Sequence, residues 1–152
     1  MKGDSITKIL ATFFGAGYSP IIPGTVGTLF GVPVYYALTL TDSKAFYIVF
    51  TIALALVSIP ISSRAEKIFG KKDARPIVID EAVGYLITML FFGKFNLTTA
   101  IVGFLAFRFF DIVKIPPANI VQKLEGGTGV VLDDIIAGIY ACITTHIVIS
   151  II

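Results

Sequence analysis

AFYIVFTIALALVSIPISS, residues 45–63, and IIAGIYACITTHIVISII, residues 135–152, carry no charged side chain. Coiled as helices at 1.5 Å per residue, each covers about 27–29 Å, close to the roughly 30 Å hydrocarbon core of a bilayer. Residues 28–40 extend a third apolar helix, with Pro33 near its first turn, where proline is tolerated. Residues 81–92 and 98–109 are shorter, and each begins or ends at a charged island. Runs of about 10–14 residues read as buried or partly inserted helices as readily as full spans. No period-two alternation persists, and lipid tolerates no open sheet edge. The fold reads as all-α: a compact helical bundle, integral to the membrane, with several transmembrane or partly inserted helices. Residues 1–152 read as a single domain, without repeat, linker or low-complexity tract.

Composition agrees. Of 152 residues, 56% are apolar and 14% charged, with a net charge of +2, one Cys, one His and no Trp. Mean hydropathy is +0.92. An average soluble domain is about 25% charged, and so few charges cover a small globule poorly. A disordered chain, a disulfide scaffold, a zinc finger and a basic nucleic-acid binder are excluded. Cys142 is a buried thiol with no activating base nearby in sequence, so thiol catalysis is not expected. Lys2 and Lys8 precede a short apolar stretch, but Asp4 and the lack of a small-residue cleavage pattern argue against a removed signal peptide.

Charge placement carries the functional lead. Six of the ten acids fall in three islands: Asp73, Asp80 and Glu81; Asp111; Asp133 and Asp134. Carboxylates beside apolar helices are costly to desolvate, so clusters there ask for a cation. The densest basic cluster is Arg64, Lys67, Lys71, Lys72 and Arg75, which puts the stretch 64–80 on the cytoplasmic side.

Four constellations stand out. Residues 15–28, GAGYSPIIPGTVGT, combine glycines with Ser19, Thr25 and Thr28. They suit either a turn between helices capped by Thr25, or an anion cradle at a helix start. The Lys-Ser/Thr ending of a nucleotide loop is missing. In the second, Asp80-Glu81 opens a helix with Gly84 one turn on; a cap needs one carboxylate, and the glycine implies close approach of another helix. In the third, Arg108 and Lys114 lie some 60° to either side of Asp111 on a helix. That is either a neutralised ion triad or a metal-bound Asp111 with two phosphate-holding cations. In the fourth, Gly126-Gly127-Thr128-Gly129 leads into a helix headed by Asp133-Asp134, with Gly138 a turn further. Two acid pairs joined through glycine-lined contacts make an oxygen-only site, which suits Mg2+ rather than zinc. His146, in the last apolar helix, reads as a satisfied polar group inside the bundle. Phosphohistidine and Cys-loop phosphatase signatures are absent.

Taken together these stretches resemble the phosphatidylglycerophosphatase A family of bacterial membrane enzymes. The resemblance rests on Gly17 to Thr28, on Asp73 with Ile77 to Gly84, on Phe107 to Lys114, and on Gly126 to Gly129 with Asp133 to Gly138, in family order. One departure is Ile115 after Lys114, with Pro116-Pro117 displaced by one position. The resemblance implies a Mg2+-dependent phosphomonoesterase that converts phosphatidylglycerophosphate to phosphatidylglycerol and phosphate. It implies a bacterial inner (cytoplasmic) membrane enzyme, its active site toward the cytoplasm, acting on a membrane phospholipid; it leaves room for a homo-oligomer and implies no nucleic acid. On it rest the expected roles: Asp80, Glu81, Asp111 and Asp134 on the metal, directly or through water, and Asp133 orienting or deprotonating the attacking water. Arg108, Lys114 and the loop hydroxyls of Ser19, Thr25 and Thr28 hold the phosphate. Asp73 ranks lower, as a ligand on a mobile loop. Two other readings are an alcohol phosphatidyltransferase and a divalent-cation carrier. The first lacks its run of Asp spaced with Gly and Arg, and the second lacks repeat symmetry and mid-membrane acids.

Overall fold

A computed structural model describes residues 2–152, with the side chain of Lys2 outside the description. Among the described residues the regular elements are helical: α1 (Lys2–Ala11), α2 (Pro23–Thr39), α3 (Lys44–Phe69), α4 (Ile79–Thr88), α5 (Leu97–Val113), α6 (Ala118–Val121) and α7 (Gly127–Ile151), with a 3-10 turn at Ala16–Tyr18. The ends follow local chemistry. The Ser43 hydroxyl accepts the Phe46 amide at 3.2 Å to start α3, and Gly70, at φ 67°, closes it. The Asn96 side chain accepts the Thr99 amide at 3.0 Å to start α5. Pro23 takes the first position of α2, where its missing N–H costs nothing.

The apolar spans run beyond the reading from sequence, α3 chiefly at its C-terminal end and α7 at its N-terminal end. The 26-residue α3 runs past Ser63 through Arg64 and Lys67, so part of the basic cluster is helical rather than loop. Arg, Ala, Glu and Lys are good helix formers, and nothing stops the helix before Gly70. The 25-residue α7 begins at Gly127 rather than 135. Its first glycine lies against α3, where an added Cβ would stand 2.7 Å from the Ser63 amide nitrogen, and the Gly127 amide donates to Ser63 Oγ at 2.8 Å. Tertiary packing there outweighs the poor helix propensity of glycine. Asp133 and Asp134 therefore lie in the second turn of α7, not at its head. In the same way α2 starts at Pro23 rather than 28, α5 reaches Val113, and α4 stops at Thr88.

The chain is all-α and membrane-associated: α3 and α7 are long and apolar enough to cross a bilayer. Large apolar side chains such as Leu56, Leu105 and Ile143 face outward at 55–64% exposure, as a lipid-facing surface requires. Helix α7 is the axis, packed on α3, α4 and α5. Its crossing with α4 is set by two glycines, since a Cβ on Gly138 would stand 2.5 Å from the Gly84 carbonyl oxygen. Tyr35, Tyr85, Leu86, Met89 and Phe107 fill the core below that crossing, and Phe13, Ile77, Val78 and Ile79 fill it above. His146 is not inside the bundle. It is exposed, stacked on Phe92 at 4.0 Å, with Nδ1 2.9 Å from the Cys142 carbonyl oxygen.

Candidate active site

The Gly84–Gly138 crossing decides what meets what. It brings the first turn of α4 beside the second turn of α7, so that carboxylate oxygens of Asp80, Glu81 and Asp134 lie within 4.8 Å of one another. None of the three serves as the helix cap, a position held by Val78, whose amide bonds to the Ala11 carbonyl at 2.9 Å. Asp80 Oδ1, Glu81 Oε2 and Asp134 Oδ2 are buried and without a hydrogen-bond partner. Asp80 and Asp134 are only 5% and 2% exposed. Three carboxylates this close, each with an orphaned oxygen, suit a hard divalent cation, and the donor set offers neither nitrogen nor sulfur to a softer one.

The other two acids are paired. Asp111, at the end of α5, accepts Arg108 Nη1 at 2.5 Å and Lys114 Nζ at 3.5 Å. Lys114 also hydrogen-bonds Asp133 Oδ2. It reaches both because α5 stops at Val113 and Lys114 takes a left-handed conformation at φ 49°, so the helical triad of the sequence becomes a cap that turns toward α7. The result is a chain, Arg108–Asp111–Lys114–Asp133, bordering the free triad. Asp111, expected among the ligands, is not brought into that triad.

All five acids, with Asp73, Ile112 and Lys114, line one cavity of ≈ 250 Å³. The segment holding Asp73 is fixed by its amide, which donates to Glu66 Oε1 at 2.7 Å. Ile112, 68% exposed at the cavity wall, carried no chemical signal in the sequence.

The glycine-rich stretch divides its work. Gly24, in the first turn of α2, stands where an added Cβ would be 2.5 Å from Glu81 Oε1 and 3.1 Å from Arg108 Nη1. The start of α2, with its unpaired first-turn amides and positive dipole end, thus abuts the site. Gly17 and Gly27 instead give room to Pro76 and Val78, so they pack protein rather than cradle an anion. Thr25 is half-buried in that first turn and caps nothing, the cap position being Ile22. The structure does not offer Thr28 to the cavity: it is fully buried and its hydroxyl donates to the Gly24 carbonyl at 2.9 Å. Ser19 is half-buried at the end of the 3-10 turn and outside the cavity lining.

Ten-residue α4 is too short to span a bilayer. Burial pushes the Asp80 carboxyl well above its usual range, and the charge on Glu81 adds to this. Burial, then the charge on Asp111, pushes Glu81 up to about 8. Burial works to lower Lys114, but the hydrogen bond and charge of Asp133, with Asp111, raise it overall, so its ammonium stays charged. Asp80 and Glu81 hold protons more tightly than ordinary carboxylates, and a divalent cation is the partner that would displace them.

The family model for phosphatidylglycerophosphatase A matches residues 9–149. The chain belongs to the phosphatidylglycerophosphatase A family. It is 32% identical to the phosphatidylglycerophosphatase A of Escherichia coli over 91% of this chain and 81% of that protein. With the Haemophilus influenzae phosphatidylglycerophosphatase A it shares 33% over 89% and 83%. It is also 34% identical, over 94% of each chain, to a Bacteroides thetaiotaomicron protein provisionally named a phosphatidylinositol-3-phosphatase. No solved structure matches. Membership in the phosphatidylglycerophosphatase A family makes this a lipid phosphatase, against the transferase and carrier readings.

Proposed function

We propose that the chain hydrolyses the terminal phosphomonoester of phosphatidylglycerophosphate, giving phosphatidylglycerol and phosphate, with Mg2+ held by Asp80, Glu81 and Asp134. The observation that carries this is the triad of acids whose carboxylates approach within 4.8 Å and each keep a buried, unpartnered oxygen, beside a guanidinium and a helix N-terminus, in a member of a lipid phosphatase family. When bound, the ion would supply positive charge for the phosphoryl oxygens and Lewis acidity for the reacting centre. The protein's own groups do the rest. Arg108 spends Nη1 on Asp111 and keeps its remaining N–H groups, of which Nε is buried without a partner, for the phosphate. The α2 first turn beside Gly24 adds amide donors to the charge that grows on the equatorial oxygens. Lys114 fixes Asp133 and Asp111 rather than meeting the substrate directly. Asp133 orients the attacking water and takes its proton as the water oxygen bonds to phosphorus. The bond from phosphorus to the glycerol oxygen breaks, and that oxygen leaves as the alcohol on receiving the proton that Asp133 took from the water.

Helix geometry supports a substrate that stays in its leaflet. From Leu97 to Asp111 α5 rises about 21 Å, and from Gly24 to Thr39 α2 rises about 22 Å, each short of the roughly 30 Å core. The acids therefore sit near one interface, where phospholipid headgroups lie. The basic residues Arg64 to Arg75 at that end support a site on the cytoplasmic face of the inner membrane. A second reading, a phosphorylated inositol lipid as substrate, draws on the Bacteroides relative.

The test is phosphate release by the purified protein in detergent from phosphatidylglycerophosphate and from phosphatidylinositol 3-phosphate, each with Mg2+ or with EDTA. Turnover of the first that needs Mg2+ is expected. Release only from the inositol lipid transfers the assignment, and release from neither overturns it. Asp80→Asn and Asp134→Asn should abolish turnover in a folded protein. Near-normal rates in either would remove that residue from the metal site.

A further inference from the structure

We propose that the loop between α1 and α2 is a membrane-interface anchor, with Phe14, Tyr18, Ile21 and Ile22 lodged among the headgroups of an anionic leaflet at the cavity end of the bundle. This concerns where the loop sits and does not depend on which lipid the site cleaves. The four side chains are 71%, 57%, 77% and 53% exposed within one connecting segment. A loop in water is normally lined with small or polar residues, and so dense an apolar group on a loop tip marks a surface that something covers.

The loop is held in this pose. The Gly15 amide donates to Thr12 Oγ at 3.1 Å, and the Gly17 amide to the Thr12 carbonyl at 2.9 Å. Phe13 and Phe14 adopt left-handed backbone at φ 45° and 57°, unusual for bulky residues, which turns Phe13 into the core and Phe14 out. Gly17 lies against the Pro76 carbonyl, so the loop cannot fold its apolar side chains away without losing that seat.

Three features choose a lipid leaflet as the cover. The helices on either side of the loop also expose apolar side chains, Ile9 of α1 at 50% and Leu29 of α2 at 55%. Arg75 Nη2 donates to the Ile21 carbonyl at 3.4 Å, and exposed Lys71 and Lys72 precede it with Asp73 and Ala74 between, Lys72 donating to the Lys123 carbonyl. Apolar and aromatic side chains rimmed by Arg and Lys complement anionic headgroups. Ile22 also sits two residues before Gly24, which touches Glu81 and Arg108, so the anchor and the acidic cavity share one level.

The chain has no Trp, so one introduced Trp reports its own surroundings. Phe14→Trp, Ile21→Trp and, in the separate segment between α6 and α7, the exposed position Glu125→Trp are each placed in the full chain. They are reconstituted in phosphatidylcholine vesicles with or without phosphatidylglycerol, using lipids brominated at defined chain depths. In the anionic vesicles Phe14→Trp and Ile21→Trp should show blue-shifted emission and lose intensity most to bromines nearest the glycerol, while Glu125→Trp keeps its intensity. Water-like, unquenched emission at both patch positions overturns the anchor. Blue-shifted emission that bromolipid does not quench also overturns it, in favour of a second protein copy as the cover. Equal quenching without phosphatidylglycerol overturns the role of the basic rim. A catalytically dead protein would leave these readings unchanged, so failure here is distinct from failure of the phosphatase assignment.

Discussion

Gly84→Ala tests whether the helix crossing makes the site. A Cβ added there would lie 2.5 Å from Phe107 Cζ and 2.9 Å from the Asp134 carbonyl oxygen. Ordinary carbon contacts are about 3.5–4.0 Å, so the neighbours must retreat by roughly 1 Å. Phe107 is fully buried and cannot swing aside, and the Asp134 carbonyl belongs to the backbone of α7. The movement therefore falls on α4 itself. Asp80 and Glu81 stand one turn earlier on that helix and are carried away from Asp134 with it. Overpacking of this kind costs about 1–3 kcal/mol of stability. The larger effect should be on the cation: Mg2+ demands near-ideal geometry, and loss of supporting structure typically weakens metal sites about 10–100-fold. The assay is phosphatase rate against Mg2+ concentration, with folding followed by thermal exposure of the buried Cys142 thiol to a maleimide dye. Gly93→Ala, with nothing within 4 Å of the added Cβ, is the control. A Gly84→Ala protein with lowered melting temperature but an unchanged Mg2+ requirement would refute the claim that this contact assembles the triad.

Gly24→Ala places a Cβ against the movable ends of Glu81 and Arg108, so it should lower kcat/KM with little change in melting; equal losses in both would point to a packing role alone. Arg108→Gln should raise KM for the lipid or slow turnover by about 10-fold or more, since a charged donor is lost beside the phosphate and Asp111 loses a partner. Aggregation of a protein that binds substrate normally would instead favour a purely structural ion pair. Glu81, raised from 4.5 to about 8, gives a pH signature in EDTA. Its folded-state value exceeds its unfolded one, so its contribution to stability is complete below about 4.5 and is lost as pH rises through about 8. The free energy of unfolding in EDTA should fall between about pH 4.5 and 8 by an amount on the order of a few kcal/mol, and Mg2+ should flatten or reverse the slope. A flat profile in EDTA would show that Glu81 is not held protonated.

Much of this is legible in the sequence. Uncharged runs of spanning length gave the helical membrane class, and a glycine one turn beyond each acid pair pointed to a close helix contact, which Gly84 and Gly138 make. Less legible was how the acids divide. Arg108 and Lys114 flank Asp111 at i−3 and i+3, a spacing that serves a triad or a phosphate site equally, and only α7 packing beside α5 shows that Lys114 is shared with Asp133. The start of α7 was hidden because propensity counts Gly126 to Gly129 as loop, whereas close packing on α3 needs glycine there. Thr28 illustrates a further limit. A hydroxyl near a proposed anion site reads as a donor in sequence, yet inside a helix it can spend its hydrogen on the carbonyl four residues back, as it does here.

The division of the acids has an energetic meaning. Of the six carboxylates that line the cavity, Asp111 and Asp133 are paired with Arg108 and Lys114, Asp73 lies on the exposed segment before α4, and Asp80, Glu81 and Asp134 each keep a buried oxygen without a partner. Stability cannot be the reason for them, because a buried carboxylate without a partner costs several kcal/mol and apolar residues of similar size would pack better. Nor can those three receive a phosphomonoester as they stand, since an anion brought to ionised acids is repelled and one brought to protonated acids gains little beyond hydrogen bonds. Arg108 alone does not offset this, because Asp111 already neutralises much of its charge. The triad therefore makes sense only with positive charge added to it, and substrate binding should weaken sharply when divalent cations are removed even though Arg108, Lys114 and the α2 N-terminus are unchanged. That expectation separates a cation site from a structural cluster: retention of a non-hydrolysable phosphonate lipid that is equal with Mg2+ and with EDTA would mean that protons, not a metal, neutralise Asp80, Glu81 and Asp134.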